Sequence, residues 1–518
     1  MRRSLSRREF VATGAAASLA ALAPRPVFAD STIMERLVVH TDVEIGKINP
    51  ELHGHFAEHL GSCVYGGLWV GKNSKVPNIN GHRKLAVEYL RELGVPVLRW
   101  PGGCFADDYH WRDGIGPPEK RPKRVNIHWG GGVEPNSFGT HEFIELCRLI
   151  GAEPYLAGNV GSGSPQEMRD WVEYCNYPAG SDLAEERGAN GAREPFKVRY
   201  WGVGNESWGC GGNMRPEEYA ALYRRFAVYL KEFGGTTPYL IASGPSGGDI
   251  RWSRGLLDKV RGDFPDGLSM HYYEGGEDPA TRFTAAHMNQ QLAIFNKVEE
   301  SILLQRAVLD GYPEGRKTGL ILDEWGVWDQ IAPEDEKKNG KLWQQSTMRS
   351  ALAAGLGLNL FNRLADKLHM CNIAQIVNVL QSVLITEGAE SDKCVRTTTY
   401  HAFSLFKTHR SKMALRVEGK EATAPSISAS ASKNGDELVL SFVNPKMDED
   451  FRVECTLLGG NAKAATAEIL HDTDLNACNS FEKPNEVVVQ KHSVKVDGSI
   501  VQLDLPRMSI ATAEVRLA

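Results

Sequence analysis

Residues 198–212 read "VRYWGVGNESWGCGG". The apolar lead-in has the length and β-branched or aromatic content of a short buried strand, and it gives way at Asn205 and Glu206 to a glycine-rich loop. A carboxylate at a strand end, walled by tryptophans and glycines, is partly withdrawn from water, and that is the condition a general acid needs. Loop glutamates of no catalytic consequence are equally common, so the fold must decide whether Glu206 has a partner.

Outward from this stretch the same texture repeats. Short apolar runs occur at "ELHGHFAE" (51–58), "VPVLRWPGG" (95–103), "EPYLAGNVG" (153–161), "VRYWGVGNE" (198–206), "YLIASGP" (239–245), "GLSMHYY" (267–273), "GLILDEWG" (319–326) and "IVNVL" (376–380). Amphipathic stretches separate them. In "RPEEYAALYRRFAVYLKEFG", for example, Tyr219, Leu222, Tyr223, Phe226 and Leu230 recur at helical spacing behind Pro216. Eight strands interleaved with helices predict a (β/α)8 barrel over residues 51–400. A doubly wound sheet is the competitor, but no glycine-rich phosphate loop follows the first strands. From residue 401 to 518 the pattern becomes alternating segments such as "ELVLSFVNP" (437–445) and "FRVECTLLGG" (451–460), the mark of an antiparallel β-sandwich. Residues 30–50 alternate likewise, in "ERLVVHTDVEIGKI" (35–48), and are expected to join that sandwich.

Composition narrows the partners. A net charge of -6 over 518 residues gives no basic excess for nucleic acid. Eleven tryptophans and fifteen tyrosines, many beside glycine-rich turns, suit the flat faces of sugars as well as a core. The first thirty residues carry the pair Arg7 and Arg8, an apolar run from Val11 to Ala23 and "VFA" before Asp30. That pattern predicts a twin-arginine-type signal over 1–29 and a periplasmic or extracellular protein. No later segment reaches the roughly 18–20 apolar residues of a membrane span, so no membrane partner is expected. Nine cysteines without a C-x-x-C pair signal neither zinc nor a disulfide framework; a bridge from Cys63 to Cys104 or Cys210 is left open.

In an eight-stranded barrel the strand-end residues face one mouth however far apart they lie in sequence. Here the ends carry Glu58, Cys104, Asn205 with Glu206, His271 with Tyr273, and Asp323 with Glu324. Glu206 and Glu324, 118 residues apart, fall on the fourth and seventh strands. Two facing carboxylates in aromatic walls are the equipment of glycoside hydrolysis, one protonating the leaving oxygen and the other attacking the anomeric carbon or activating water. Asp323, next to Glu324 in a strand, is expected to face away from the mouth. His53, His55 and His59 raise a metal-dependent hydrolase as a rival, which would need further ligands at strand ends occupied here by glutamates and aromatics. Trp111, Trp129 and Trp328 either stack on sugar or fill core.

The motifs "HFAEHLGSCVYGG" (55–67), "LRWPGGCFADDYHWRDGIGP" (98–117), "NSFGTHEF" (136–143), "WGVGNESWGCGG" (201–212), "HYY" (271–273), "LDEWGVW" (322–328) and "AQIVNVLQ" (374–381) together resemble the retaining α-L-arabinofuranosidases of glycoside hydrolase family 51. That resemblance implies a barrel with a β-sandwich and cleavage of terminal arabinofuranosyl groups, without a cofactor, from arabinose-containing oligo- or polysaccharides. It implies Glu206 as acid/base, Glu324 as nucleophile, and Glu58, Asn205, His271, Tyr273 and Gln375 around the sugar. Cys104 stands where many members carry asparagine, which puts a thiol in the substrate-binding shell and leaves the substrate preference open. The rivals are a β-xylosidase or endo-β-glucanase on the same scaffold, and a silent carbohydrate-binding protein. A homo-oligomer is left open.

Overall fold

The computed structural model describes residues 33–260, 262–419 and 426–518, and the side chains of all of these but 289–296. The expected signal over 1–29 lies outside the described residues. Eight parallel strands close a barrel in sequential order: Gly54–Phe56, Val97–Trp100, Glu153–Gly158, Tyr200–Val203, Tyr239–Ala242, Gly267–Gly275, Gly319–Trp328 and Leu368–Ala374. We refer to them as the first to eighth barrel strands. Seven coincide with the apolar runs read from sequence. The eighth does not: "IVNVL" (376–380) lies in the loop after it, and the strand is the preceding "LHMCNIA". Polar His369 and Asn372 mask it in sequence, yet Asn372 is fully buried because its amide donates to Asp323 Oδ1 at 3.1 Å.

The barrel interior is layered. Val97, Tyr155, Tyr200, Ile241, Ile321 and Met370 form an apolar plug. The next residues inward along four of those strands are Arg99, Gly202, Asp323 and Asn372, two positions on, as the strand period requires. Arg99, Asp323, Asn372 and Tyr155 meet there from four strands, including pairs that are not neighbours in the sheet, so they lie inside the barrel. The usual apolar filling of such a barrel is thus replaced by a polar network directly under the mouth.

A ten-stranded sheet folded over its own apolar core forms the β-sandwich. Ile33–Lys47 belongs to it, parallel to Phe451–Leu458 and antiparallel to Met413–Gly419. Alternation is plain in Phe451–Leu458, where Phe451, Val453, Cys455 and Leu457 are buried. The sandwich packs on the helix Met348–Arg363, whose residues are nearly all buried because barrel and sandwich cover opposite faces. Asn362 donates to Ser430 Oγ, which in turn donates to Asn359, so polar groups in this seam are paired. No helix among the described residues is long and apolar enough to cross a membrane.

Helix and sheet approach closely at Gly355, where an added Cβ would sit 2.9 Å from Val443 Cγ2 and 3.1 Å from Ile510 Cδ1. Gly355→Leu is therefore expected to destabilise by about 1–3 kcal/mol through overpacking, read as a lowered thermal midpoint. An unchanged midpoint would mean that the sandwich is not seated on this helix.

Candidate active site

Arg99, on the second strand and 1% exposed, organises the mouth. Its Nη1 donates to Glu324 Oε1 at 2.6 Å, its Nη2 to Asn205 Oδ1 at 2.6 Å, and its Nε lies 3.3 Å from Asp323 Oδ2. The guanidinium stacks over the Phe56 ring at 4.6 Å. Burial works against its charge, but the carboxylates of Asp323 and Glu324 outweigh that and raise its pKa. Sequence reasoning gave Arg99 no role. The available signal was a cation inside the apolar run "VPVLRW", which a parallel barrel strand tolerates only if it is paired.

Asp323 and Glu324 both reach this guanidinium although they are consecutive. The expectation that Asp323 turns away from the site does not stand. The pairing of sixth and seventh strands slips between Met270 and His271, so that Leu322 opposes Met270 and Glu324 opposes His271, leaving Asp323 without a partner. A bulge of this kind re-aims side chains. Asp323 keeps the inward face that alternation from Ile321 gives it, where it also accepts from Tyr155 at 3.0 Å, and the bulge delivers Glu324 to the mouth beside it.

Glu324, 6% exposed, accepts from Tyr273 Oη at 2.7 Å through Oε2, which lies 3.7 Å from His271 Nδ1. Burial would raise its pKa, but His271, Arg99 and the Tyr273 hydroxyl together hold it below the usual carboxylate value. Glu206 follows the fourth strand in the left-handed region, at φ 40°, an unfavourable setting for a residue with a side chain. The turn is held by Gly209 and Gly211 donating to the Glu206 carbonyl and by Ser207 N donating to Ser243 Oγ. His271 Nδ1 lies 2.9 Å from Glu206 Oε1. One oxygen each of Glu206 and Glu324 and a His271 ring nitrogen all fall within 4.8 Å of one another.

Glu58 closes the far side. Its Oε1 accepts from Phe105 N at 3.1 Å and Trp129 Nε1 at 2.8 Å, and its Oε2 accepts from Gln375 Nε2 at 3.2 Å. Burial, with the nearby Glu324 charge, pushes Glu58 up to about 7 despite these donors. Between Glu58, Asn205 and Glu324 sits Gly103: a Cβ there would come 2.9 Å from Glu324 Oε1 and 3.5 Å from both Asn205 Nδ2 and Glu58 Oε1. Its bareness leaves the space a ligand needs.

Every candidate except Cys104 is placed with the side chain expected of it. Cys104 is not a thiol, because its sulfur is bonded to Cys210, whose Cα lies 5.5 Å away across 106 residues of chain. The bridge joins neighbouring loops at the mouth, a proximity that sequence separation hides, and Cys63 is buried and free. The three histidines in and beside the first strand have separate engagements. His53 faces Asn362 and Arg410, His55 packs on Phe403, and His59 lies between Trp100 Nε1 and Glu134. Of the tryptophans, Trp111 is core at 1% exposure, whereas Trp129 and Trp328 border the site. Asp107 was also missed: it accepts from Val160 N, Gly161 N and Asn205 N at 2.7, 2.9 and 2.8 Å, tying the loops after the second, third and fourth strands together.

A closed barrel with two carboxylates so spaced at its mouth defines a glycoside hydrolase. Residues 89–290 match the α-L-arabinofuranosidase 1 domain and residues 323–509 the α-L-arabinofuranosidase C-terminal domain. An intracellular exo-α-L-arabinofuranosidase from Bacteroides ovatus is 45% identical over 93% of this chain and 95% of its own. Among solved structures, the family 51 arabinofuranosidase from Xanthomonas axonopodis pv. citri is 38% identical with a TM-score of 0.89, covering 93% of this chain and all of that one (100%). An α-L-arabinofuranosidase from Thermotoga maritima in complex with arabinose is 31% identical with a TM-score of 0.83, over 93% and 100%. The chain belongs to the family 51 α-L-arabinofuranosidases. The Bacteroides ovatus relative is described as intracellular, which overturns the expectation of a periplasmic or extracellular protein exported on a twin-arginine-type signal.

A lysine in place of Arg99 would keep a cation but lose the fork that reaches three acceptors. Arg99→Lys should fold and yet lose at least about tenfold in kcat/KM, the equivalent of one charge-assisted hydrogen bond. Full activity in that variant would show that charge alone, not the fork, is what the site requires.

Proposed function

We propose that this α-L-arabinofuranosidase removes terminal arabinofuranosyl groups, in exo fashion and with net retention, from arabinose-decorated plant polysaccharides or their fragments. The observation that carries the reading is the spacing of Glu206 and Glu324, with oxygens within 4.8 Å, combined with their unlike surroundings. Retention goes with carboxyl groups about 5–5.5 Å apart, and inversion with about 6.5–9.5 Å, the room a water needs between acid and sugar.

Glu324, ionised against Arg99 and His271, attacks the anomeric carbon while Glu206 gives a proton to the departing oxygen. In the second step Glu206 takes a proton from water, which attacks the same carbon and releases Glu324. Tyr273, bonded to Glu324 Oε2, steers the nucleophile. Asn205 Oδ1 is committed to Arg99, and its amide nitrogen, which makes one weak contact with Cys210 Sγ at 4.0 Å, has a second hydrogen for the sugar 2-hydroxyl. Glu58 and Gln375 hold the remaining furanose hydroxyls, with Gly103 leaving the ring its space and the Cys104 sulfur lining the wall. The wall of Glu58, Trp129 and Gln375 on the far side of the pocket supports terminal rather than internal cleavage.

The two glutamates are separated by leaving group and by azide. Glu324→Ala should be inactive on every arabinofuranoside, because no glycosyl-enzyme forms. Glu206→Ala should be slowed by about 10²–10⁴-fold on substrates that need protonation, yet still react with an activated aryl arabinofuranoside. Azide, which needs no general base, should then release the stalled intermediate as an arabinofuranosyl azide of retained configuration. A retained azide from Glu324→Ala, with Glu206→Ala giving no retained product, would reverse the assignments.

A further inference from the structure

Glu324 is gripped by Arg99 and Tyr273, whereas among the described residues the one donor side chain hydrogen-bonded to Glu206 is His271, at Oε1. The other Glu206 oxygen, Oε2, faces sulfur: Cys210 Sγ lies 3.5 Å from it. Bridged to Cys104, that sulfur has no hydrogen to donate, so Oε2 is left free to carry a proton toward a leaving group. The bridge also fixes where that oxygen points. Cys210 lies inside the turn that holds Glu206 in its left-handed backbone conformation, and Cys104 opens the 3-10 turn Cys104–Asp108, which contains Asp107, the acceptor from Asn205 N. Two links, one covalent and one hydrogen-bonded, therefore span the same pair of loops with Glu206 next to both. The loops meet closely: a Cβ on Gly211 would come 1.7 Å from the Asn205 carbonyl oxygen and 2.6 Å from Asp107 Oδ2.

We infer that the Cys104–Cys210 bridge positions Glu206 for proton delivery, and that opening it selectively slows substrates whose leaving group must be protonated. The inference rests on Glu206 being the acid/base. Both cysteines are partly exposed, so a small dithiol can reach them. By thiol–disulfide exchange, one dithiol molecule converts the bridge into two protein thiols and leaves as its own cyclic disulfide. The new Cys210 thiol can donate to Glu206 Oε2, occupying the oxygen that must deliver the proton, while the loop is released from Cys104. Glu324, held from the other side of the barrel by Arg99, is not disturbed by either change.

The test compares enzyme oxidised with diamide, the same enzyme reduced with dithiothreitol, and a Cys104→Ala/Cys210→Ala double variant. Thiol titration after denaturation should give seven in the oxidised form and nine in the reduced form, because seven cysteines lie outside the bridge. For arabinofuranosides with dinitrophenyl, nitrophenyl, phenyl and alkyl leaving groups, reduction should lower kcat/KM about tenfold or more for phenyl and alkyl. For dinitrophenyl, which departs unprotonated, the change should stay within about threefold. Reoxidation should restore the reduced enzyme, and the double variant should show the same leaving-group dependence irreversibly. An equal loss on all leaving groups, no loss, or nine thiols after diamide would each overturn the inference. Glu206→Ala is measured in parallel: if it shows no leaving-group dependence, the acid/base assignment itself has failed, whereas a steep dependence there with none on reduction isolates the failure to the bridge.

Discussion

A single buried guanidinium sets the terms for the mouth of this barrel. Removing a cation from water is costly, and Arg99 is tolerated at 1% exposure because three acceptors and an aromatic face surround it. The consequences spread outward. Asp323 faces inward to meet Nε, as alternation from Ile321 gives, and the slip in strand register beside it brings Glu324 to the mouth on the next residue. Asn205 must offer its carbonyl oxygen, which fixes the orientation of its amide and the start of the turn that carries Glu206. A neutral residue at this position would leave two buried carboxylates side by side, with only His271 and neutral donors to offset their repulsion.

The same arginine separates carboxyl groups that burial would otherwise treat alike. Glu58 and Glu324 are both withdrawn from solvent, at 2% and 6% exposure. Glu58, bonded to neutral donors and facing the Glu324 charge, is pushed up to about 7. Glu324, with Arg99 at 2.6 Å and His271 beside it, is held down. Near neutral pH one stays ionised and can act as a nucleophile, while the other is divided between its two forms and can either donate to or accept from a sugar hydroxyl. His271 bridges the remaining pair. Burial lowers its pKa, but the Glu324 and Glu206 carboxylates outweigh this and raise it.

What sequence revealed and what it hid follow from range. Period and punctuation are local, so seven barrel strands, the alternating sandwich and the strand-end residues Glu58, Glu206, His271 and Glu324 could be read directly. The eighth strand was missed because Asn372 is polar, and its partner Asp323 lies 49 positions away in sequence. The Cys104–Cys210 bridge spans 106 residues, and no pattern in the chain marks two loops as adjacent. Arg99 sat within a quoted motif, but its meaning depends on three acceptors from two other strands. The slip at Asp323 likewise belongs to a strand pair rather than to a strand, and strict alternation predicted that Asp323 and Glu324 could not both reach the site.

The claim that Arg99 holds Glu324, the proposed nucleophile, ionised can be measured through the acidic limb of the pH dependence of kcat/KM. Glu324 has a lowered pKa, so its active, ionised form is present above that value and is lost as pH falls through it. Removing the cation while keeping the bulk, as in Arg99→Met, should raise the Glu324 pKa and move the acidic limb to higher pH by about one unit or more, the scale of a close opposite charge. A limb that stays where it is in the wild-type enzyme, with activity reduced equally at every pH, would contradict the account and leave Arg99 as a spacer rather than the source of the nucleophile's charge.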